Sequence, residues 1–461
     1  MKLSLGLFRD PGAQTGGATP LVQSERIVII DSLRGVALLG ILLMNIPAFA
    51  LSYQMYYNLD VRNEYNDANY YTWWIVNGGF EGTMRAIFTM LFGAGSLLLL
   101  ERLEKKNSVI SAADIYYRRL IWLLIFGIIN AFVFLWPGDI LYTYALCGLF
   151  LFPFRKLNPK WLLALGILMM TIATLKDTLE MHDTKKLRIK GEQVAAILKK
   201  DSTTKLTDEQ KEDKTKWEGF VERHKVENVR KEVEKEEKKM QKGYFDIMAY
   251  YKDINVKIQS QSFYNDYFWD AMCLLFIGMA LFKWGVLTGE RSKGFYWMML
   301  LLGYAIGLPL SYYMLRVMGG SGFDPSKYFD KLYIQYYQER RFFIAMGHIA
   351  FIMLLYKYGI LKWLLNALAK VGQMAFTNYL SQSIICAIIF YGFGFGLYGK
   401  MQRYEIYYVA GAIWIFQLIF SSIWLKYFYF GPFEWVWRTL TYWKKQPMKR
   451  KAGKQAQPSF A

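Results

Sequence analysis

Long apolar runs alternate with short polar ones along almost the whole chain, and their length sets the first expectation. A helix needs roughly 20 mainly apolar residues to cross a bilayer. Runs of that order stand at about 27–50, 73–100, 120–136, 140–154 and 161–176, and again at 266–283, 294–317, 341–357, 372–393 and 405–427. They are continuous and do not alternate every second residue, which argues against a β-barrel. Backbone groups in lipid must then bond within helices. The pattern predicts an all-α, polytopic transmembrane bundle of about ten spans. Asn77, Gly78 and Gly79 interrupt the second run, so its helix is expected to begin near Phe80.

Residues 177–262 depart from the pattern, being rich in Lys and Glu with no spanning run. Thr207 and Gln210 have capping-box spacing. Val226, Val229, Val233 and Met240 follow as a thin apolar stripe, so a charged helical insert is expected, with coiled-coil pairing as a weaker alternative. The chain thus divides into a flexible tail (1–25), a membrane half (26–176, spans one to five), the insert (177–262), a second membrane half (263–427, spans six to ten), an interfacial amphipathic helix (428–443) and a basic tail (444–461). In the interfacial helix Pro432 suits the first turn, Glu434 and Arg438 have pairing distance, and Trp435, Trp437 and Trp443 suit headgroup depth.

Charge fixes an orientation for this layout. The formal net charge of +19 falls largely in short loops and the C-terminal tail, so topology explains it and nucleic acid is not expected as a partner. Counted alternately, the basic loops share a side with both termini, apart from Lys400 and Arg403 in 394–403. The positive-inside rule puts that side in the cytoplasm and the insert outside, as for a multi-pass protein of the bacterial inner membrane. No cleavable signal peptide is expected. Cys147, Cys273 and Cys386 all sit in apolar runs without metal or redox-motif spacing, and read as packing residues. The glycines of 392–399 close a span and open no helix, so they are not a phosphate-binding loop.

The remaining signal is a small set of polar residues within the spans, where charge is costly and usually faces the bundle interior. Asp31 and Arg34 share one helical face, continued by Leu38, Ile41 and Asn45; they either mark the helix end as a pair or line a site. Glu81, Asn45, Asn130, Asp139 and His348 lie toward the outer side, and Asn378 and Gln382 toward the inner one, with Gln417 near mid-depth. Glu81 and Arg85 have i, i+4 spacing and read as a bridge. Asp139 is either the N-cap of span four or a catalytic carboxylate. His348, the histidine within a span, suits a general base or acyl carrier, or a structural hydrogen bond. Arg340 and Arg341 could hold an anionic group. Too few His and Cys are placed to build a metal site.

Several stretches carry a resemblance. RIVIIDSLRGVALLGILLMNI at the first span, GDILYTYALCGL (138–149), FIGMALFKWGVLTGE (276–290), VGQMAFTNYLSQSIICAIIFYGFGFGLYG (371–399) and IWIFQLIFSSIWLKYFYFGPFEWVWRTLTY (413–442) resemble the YeiB-like bacterial membrane proteins with their C-terminal domain of unknown function. The first helix, with D-x-L-R-G and a later Asn, also looks like that of transmembrane acyltransferases, among them the lysosomal enzyme acetylating heparan glucosamine and bacterial sugar O-acyltransferases. This second likeness implies transfer of an acyl group from a cytoplasmic donor, acyl-CoA, to a small-molecule or glycan acceptor at the outer face. No tightly bound cofactor is implied. His348 and Asp139 would be catalytic. Asp31, Arg34, Asn45, Glu81, Arg85, Asn130, Asn378, Gln382 and Gln417 would line the path. One departure stands out: family members often read G-x-x-H-A where this chain has GIINAF, so Asn130 replaces a histidine. Asn cannot shuttle a proton near neutral pH. A small-solute transporter or permease and a non-catalytic membrane scaffold are the alternatives, and the oligomeric state is open.

Overall fold

A computed structural model describes residues 27–450 except 66, 107 and 108. The expected tail 1–25 and the last part of the basic tail, with Lys451 and Lys454, lie outside the described residues. The first membrane half comprises α1 (Val28–Ala50), α2 (Ala68–Ile75), a π-helical turn (Val76–Phe80), α3 (Thr83–Lys106), α4 (Val109–Phe132), α5 (Leu141–Leu149) and α6 (Pro159–Lys200). Then come α7 (Asp208–His224), α8 (Val226–Met240), α9 (Tyr244–Lys257), a second π-helical turn (Ile258–Tyr267) and α10 (Phe268–Lys283). The chain continues through α11 (Lys293–Gly319), α12 (Pro325–Tyr328), α13 (Tyr337–Tyr358), α14 (Lys362–Gln373), α15 (Ala375–Phe390), α16 (Ile406–Tyr427) and α17 (Pro432–Tyr442).

The architecture of the described residues is all-helical, as the pattern predicts, though not every expected span is one long helix. Among the described residues, seven helical stretches are long and apolar enough to cross a bilayer: α1, α2–α3, α4, α6, α11, α13 and α16. The other three expected spans are short helices. The nine residues of α5 rise only about 14 Å and the sixteen of α15 about 24 Å, against a hydrocarbon core of about 30 Å; α10 has sixteen residues of its own and continues directly from a π-helical turn. The run 140–154 contains a 3₁₀ turn at Phe152–Lys156, and 372–393 crosses the break between α14 and α15 at Met374. Apolar length therefore overstates helix length wherever a turn is itself apolar.

The insert boundaries fall inside helices. α6 runs on for 42 residues, about 63 Å, from the bundle into the insert. At the other edge α9, the π turn and α10 follow one another without a loop. Thr207 and Gln210 do form the capping box of α7. The apolar stripe of α8 buries Val229, Val233 and Met240 against this same chain. Met240 accepts from the Gly392 N–H at 2.8 Å, Glu237 pairs with Arg62 at 2.7 Å, and Arg230 donates to the Val61 carbonyl at 2.9 Å. The insert thus caps the end of the bundle where α1 and α15 finish. We call this the insert end. At the opposite end, the tail end, Arg155 pairs with Glu104 at 2.6 Å, Lys283 donates to the Arg155 carbonyl at 2.8 Å and Lys293 lies 4.1 Å over the Tyr358 ring.

Backbone contact between helices is what brings the polar side chains together. A Cβ on Gly35 would stand 2.0 Å from the Leu368 carbonyl, and one on Gly372 1.9 Å from that of Asp31. α1 and α14 therefore touch backbone to backbone, the small-residue packing that serves membrane helices in place of a hydrophobic driving force. Gly93 and Gly278 do the same for α3 and α10, at 2.4 and 2.1 Å from Leu275 and Met90 carbonyls.

Candidate functional site

A cavity of about 210 Å³ opens among α1, α3, α4, α5, α15 and α17. Arg34, Arg102, Arg119 and Arg438 line its tail-end part, with Asp31 and Glu434. Phe88, Leu91, Phe92, Leu120 and Leu123 form apolar walls, and Tyr144 and Tyr379 lie at its inner end. Along α3 the lining runs from Arg102 to Phe88, which is about 21 Å of helix.

The charges at the mouth are arranged by their helices. Asp31 and Arg34, one turn apart on unbroken α1, pair at 2.7 Å. Arg119 lies 4.1 Å over the Trp437 ring, whose Nε1 donates to the Arg119 carbonyl at 2.9 Å. Trp437 is thus buried and fixes α17 to α4. Glu434 is buried too. Its carboxylate accepts from the Phe376 and Thr377 N–H groups at 2.7 and 3.0 Å and from Thr377 Oγ1 at 2.5 Å. It supplies from α17 the cap that α15 lacks in its own sequence. Four guanidinium groups and two carboxylates line the mouth, and this balance of charge favours an anion.

Asp139 stands one side chain behind the cavity floor. The Tyr379 hydroxyl accepts from the Ile140 N–H at 3.2 Å and lies 3.4 Å from Asp139 Oδ1. Asn130 Nδ2 donates to Asp139 Oδ1 at 2.8 Å, and the Tyr142 N–H to Oδ2 at 2.9 Å. Asp139 therefore caps the first turn of α5 and also holds Asn130. Asn130 is fully buried, and its Oδ1 has no hydrogen-bond partner.

The other singled-out residues lie elsewhere. His348 does not line the cavity. Its Nε2 meets the Gly79 carbonyl at 2.8 Å and its Nδ1 the Tyr304 hydroxyl at 2.8 Å. Asn378, Gln382 and Gln417 form a closed lattice between α15 and α16. Gln382 Nε2 donates to Gln417 Oε1 at 3.0 Å, Gln417 Nε2 to the Asn378 carbonyl at 2.8 Å, and Asn378 Nδ2 to Ser421 Oγ at 2.9 Å. These three hold helices together and border no part of the cavity. Asn45 is half-buried on α1 and also lies off it.

Glu81 and Arg85 are not paired with each other. Gly82, at φ +71°, separates Glu81 from the start of α3, so the two no longer share a helix face. Glu81 instead pairs with Arg340, while Arg85 pairs with Asp270 at 2.7 Å; Arg341 meets Asp270 as well. This ionic cluster joins α3, α10 and α13. Asp270 escapes a sequence reading because nothing distinguishes it from a helix-end acid.

Residues 281–444 match the family described as a protein of unknown function, DUF418. Two curated relatives align over nearly the whole chain. "Uncharacterized protein YxaH" of Bacillus subtilis is 28% identical over 450 residues, 94% of this chain and 98% of the relative. "Uncharacterized protein YeiB" of Escherichia coli is 27% identical over 433 residues, 90% and 96% of the two chains. The chain is thus similar over nearly its whole length to these YeiB-like proteins, and its residues 281–444 match the DUF418 family. No solved structure matches it. The segment matching DUF418 supplies α15 and α17, and so the Tyr379 floor and the Glu434–Arg438 wall, while α1, α3 and α4 supply Asp31, Arg34, Arg102 and Arg119 of the mouth from outside that segment.

Proposed function

We propose that this YeiB-like protein is a membrane-embedded acyltransferase, drawing on an acyl-CoA donor at the tail end and serving an acceptor from the insert end. The cavity is the observation that carries the reading: an arginine-rich mouth, apolar walls and a phenolic inner end suit a phosphate-bearing head with a slender acyl-bearing arm. The positive-inside rule supports a cytoplasmic tail end, where such a donor would be met.

In this scheme the thioester carbonyl lies near Tyr144 and Tyr379. An acceptor hydroxyl or amine attacks it, forming the C–O or C–N bond as the C–S bond breaks. The acceptor's proton passes through the Tyr379 phenol to Asp139, and the thiolate leaves to take up a proton. Arg34 holds the donor's head. His348, with both ring nitrogens engaged away from the cavity, is assigned a structural part in place of the catalytic one expected from its position.

Vesicles carrying the full chain, given labelled acetyl-CoA from the tail end, test the reading. Label appearing in a covalent product, and lost in Arg34→Ala and Asp139→Asn, is the expected result. CoA consumption at background levels, or accumulation of an unchanged solute, would remove the acyltransferase reading, and the latter would favour a permease.

A further inference from the structure

A partly accessible ionic cluster lies at the insert end, on the far side of Tyr144 from the arginine-mouthed cavity. The marker is Arg85. Its side chain keeps 30% of its surface, whereas the ions packed about it keep 9% (Asp270), 7% (Glu81), 6% (Arg340) and 1% (Arg341). Arg85 belongs to α3, which is packed among α1, α4, α10 and α13, so this open surface faces the interior and not lipid. Tyrosines surround it. Tyr337 accepts from Arg85 Nη2 at 3.3 Å and donates to Glu81 Oε1 at 3.1 Å; Tyr57 donates to the same oxygen at 3.2 Å. Tyr56 lies edge-on to Tyr57 at 4.6 Å, and exposed Tyr53 stacks beyond it at 6.4 Å. Tyr56, Tyr57 and Tyr337 are half-buried, grading from exposed rim to buried ions.

A thin septum divides this cluster from the cavity. Tyr144 lines the tail-end cavity, shares a 2.5 Å hydrogen bond with Thr89, and points its hydroxyl to the Arg85 carbonyl at 3.5 Å. The charges behind the tyrosines balance: Glu81 and Asp270, with Asp177 close enough to act on Arg341, offset Arg85, Arg340 and Arg341. The nitrogens left without a hydrogen-bond partner, Nε of Arg340 and Nε and Nη1 of Arg341, are themselves buried, so the balanced cluster presents little to a free ion. Phenolic hydroxyls and ring faces instead suit alternating O–H and C–H surface.

We infer that this tyrosine-lined vestibule binds a neutral, polyhydroxylated ligand, and, resting on the transfer proposed above, that this ligand is the acceptor, reaching the acyl group at the Tyr144 septum. The test uses thiol accessibility in the full chain in membranes, where the three native cysteines are buried. Tyr57→Cys and the rim variant Tyr53→Cys are exposed from the insert end to a membrane-impermeant methanethiosulfonate. Both thiols should react, and sorbitol or glucose at twice its dissociation constant should slow the Tyr57→Cys reaction about threefold, with little effect at the rim. A Tyr57→Cys thiol that stays inert while the rim thiol reacts means there is no vestibule. Protection by phosphate or tetramethylammonium in place of the polyols, or by none of these, overturns the ligand class. The labelling needs no acyl donor, so a failed CoA assay would leave this result standing, and a failed labelling would leave the donor cavity standing.

Discussion

His348 Nε2 lies 2.8 Å from the carbonyl oxygen of Gly79, in the π-helical turn that interrupts the second span. The carbonyl of Asn77 accepts from Arg340 Nη1 at 3.0 Å and that of Gly78 from Ser311 Oγ at 2.8 Å. Three successive carbonyls are thus each met by a side chain from α11 or α13. Irregular backbone at membrane depth persists only where its polar groups are satisfied by protein or water. The tautomer follows: Nε2 carries the proton for Gly79, and Nδ1 accepts from the Tyr304 hydroxyl.

His348→Ala should therefore act on stability and not on chemistry. Leaving a buried carbonyl without its donor costs about 1–3 kcal/mol. The midpoint of thermal unfolding in detergent should fall, with turnover per folded molecule retained, and His348→Gln should recover part of the loss. Loss of turnover at unchanged stability would return His348 to catalysis.

Arg34 tests the donor mouth. A hydrogen bond to a charged group contributes about 1.5–3 kcal/mol, so Arg34→Ala should weaken acyl-CoA binding by roughly 10- to 100-fold. Arg34→Lys should fall between, because an ammonium keeps the charge and loses the planar fork. Titration of a non-hydrolysable acyl-CoA analogue against the detergent-solubilised protein reads both. Equal affinity in all three proteins would place the head elsewhere.

Much of this was legible in the chain, and what was not has a common cause. Asp31 and Arg34 pair as their spacing implies because α1 is unbroken between them. Glu81 and Arg85 have an equally good spacing, yet positive-φ Gly82 takes Glu81 out of the helix and hands it to Arg340. A rule built on helix periodicity fails at the one place where periodicity is broken. Arg102 and Arg119 read as topology signals from sequence, and only the crossing of α1, α3 and α4 turns them toward a shared cavity. Asn378 and Gln382 do share a face, but α16 fills the space before them with Gln417 and Ser421.

Asn130→His offers a gain-of-function test. Asn130 and Asp139 are already 2.8 Å apart, so an imidazole there would sit beside the carboxylate that orients it. General acid–base assistance of this kind is worth about 10²–10⁴-fold. Turnover in Asn130→His should rise, with a new pH dependence in the histidine range that Asp139→Asn removes. An unchanged rate in a stable variant would detach this pair from the chemistry.

The insert should respond to pH through Glu236, which lies outside the spans on α8. It accepts from Ser52 Oγ at 2.5 Å and from the Tyr398 hydroxyl at 2.9 Å, and burial raises its pKa despite both bonds. Glu237 raises it further, while Lys239 pulls the other way. A carboxyl with a raised folded pKa holds its proton in the docked state at pH values where the undocked one has lost it. Docking is then tightest in acid and weakens as pH climbs from the ordinary carboxylate range through the raised value. Hydrogen exchange of α8 amides in the full chain should accelerate across that window and level off above it. Glu236→Gln, neutral throughout, should flatten the profile and slow exchange at neutral pH. A profile identical in the two proteins would assign the response to other groups.

Glu434 should prove the most costly single loss at the tail end, because it serves two helices at once. Its carboxylate satisfies two N–H groups in the first turn of α15 and the Thr377 hydroxyl, and that hydroxyl accepts in turn from the Phe433 N–H at 3.0 Å. A carboxylate at a helix N-terminus is also favoured by the helix dipole. Glu434→Ala leaves buried donors unpaired and frees α17 from α15, so both the Tyr379 floor and the Arg438 wall lose their setting. Loss of a cap alone costs about 0.5–2 kcal/mol, and the unpaired donors add to it. Glu434→Gln keeps an acceptor oxygen and should recover much of the stability with weaker bonds. If the cavity binds an anion as argued, Glu434→Gln also removes a negative charge from its lining. Acyl-CoA affinity should then hold or rise in Glu434→Gln while it falls in Glu434→Ala. A parallel fall in both variants would mean that the carboxylate touches the donor itself and does not act by positioning α15.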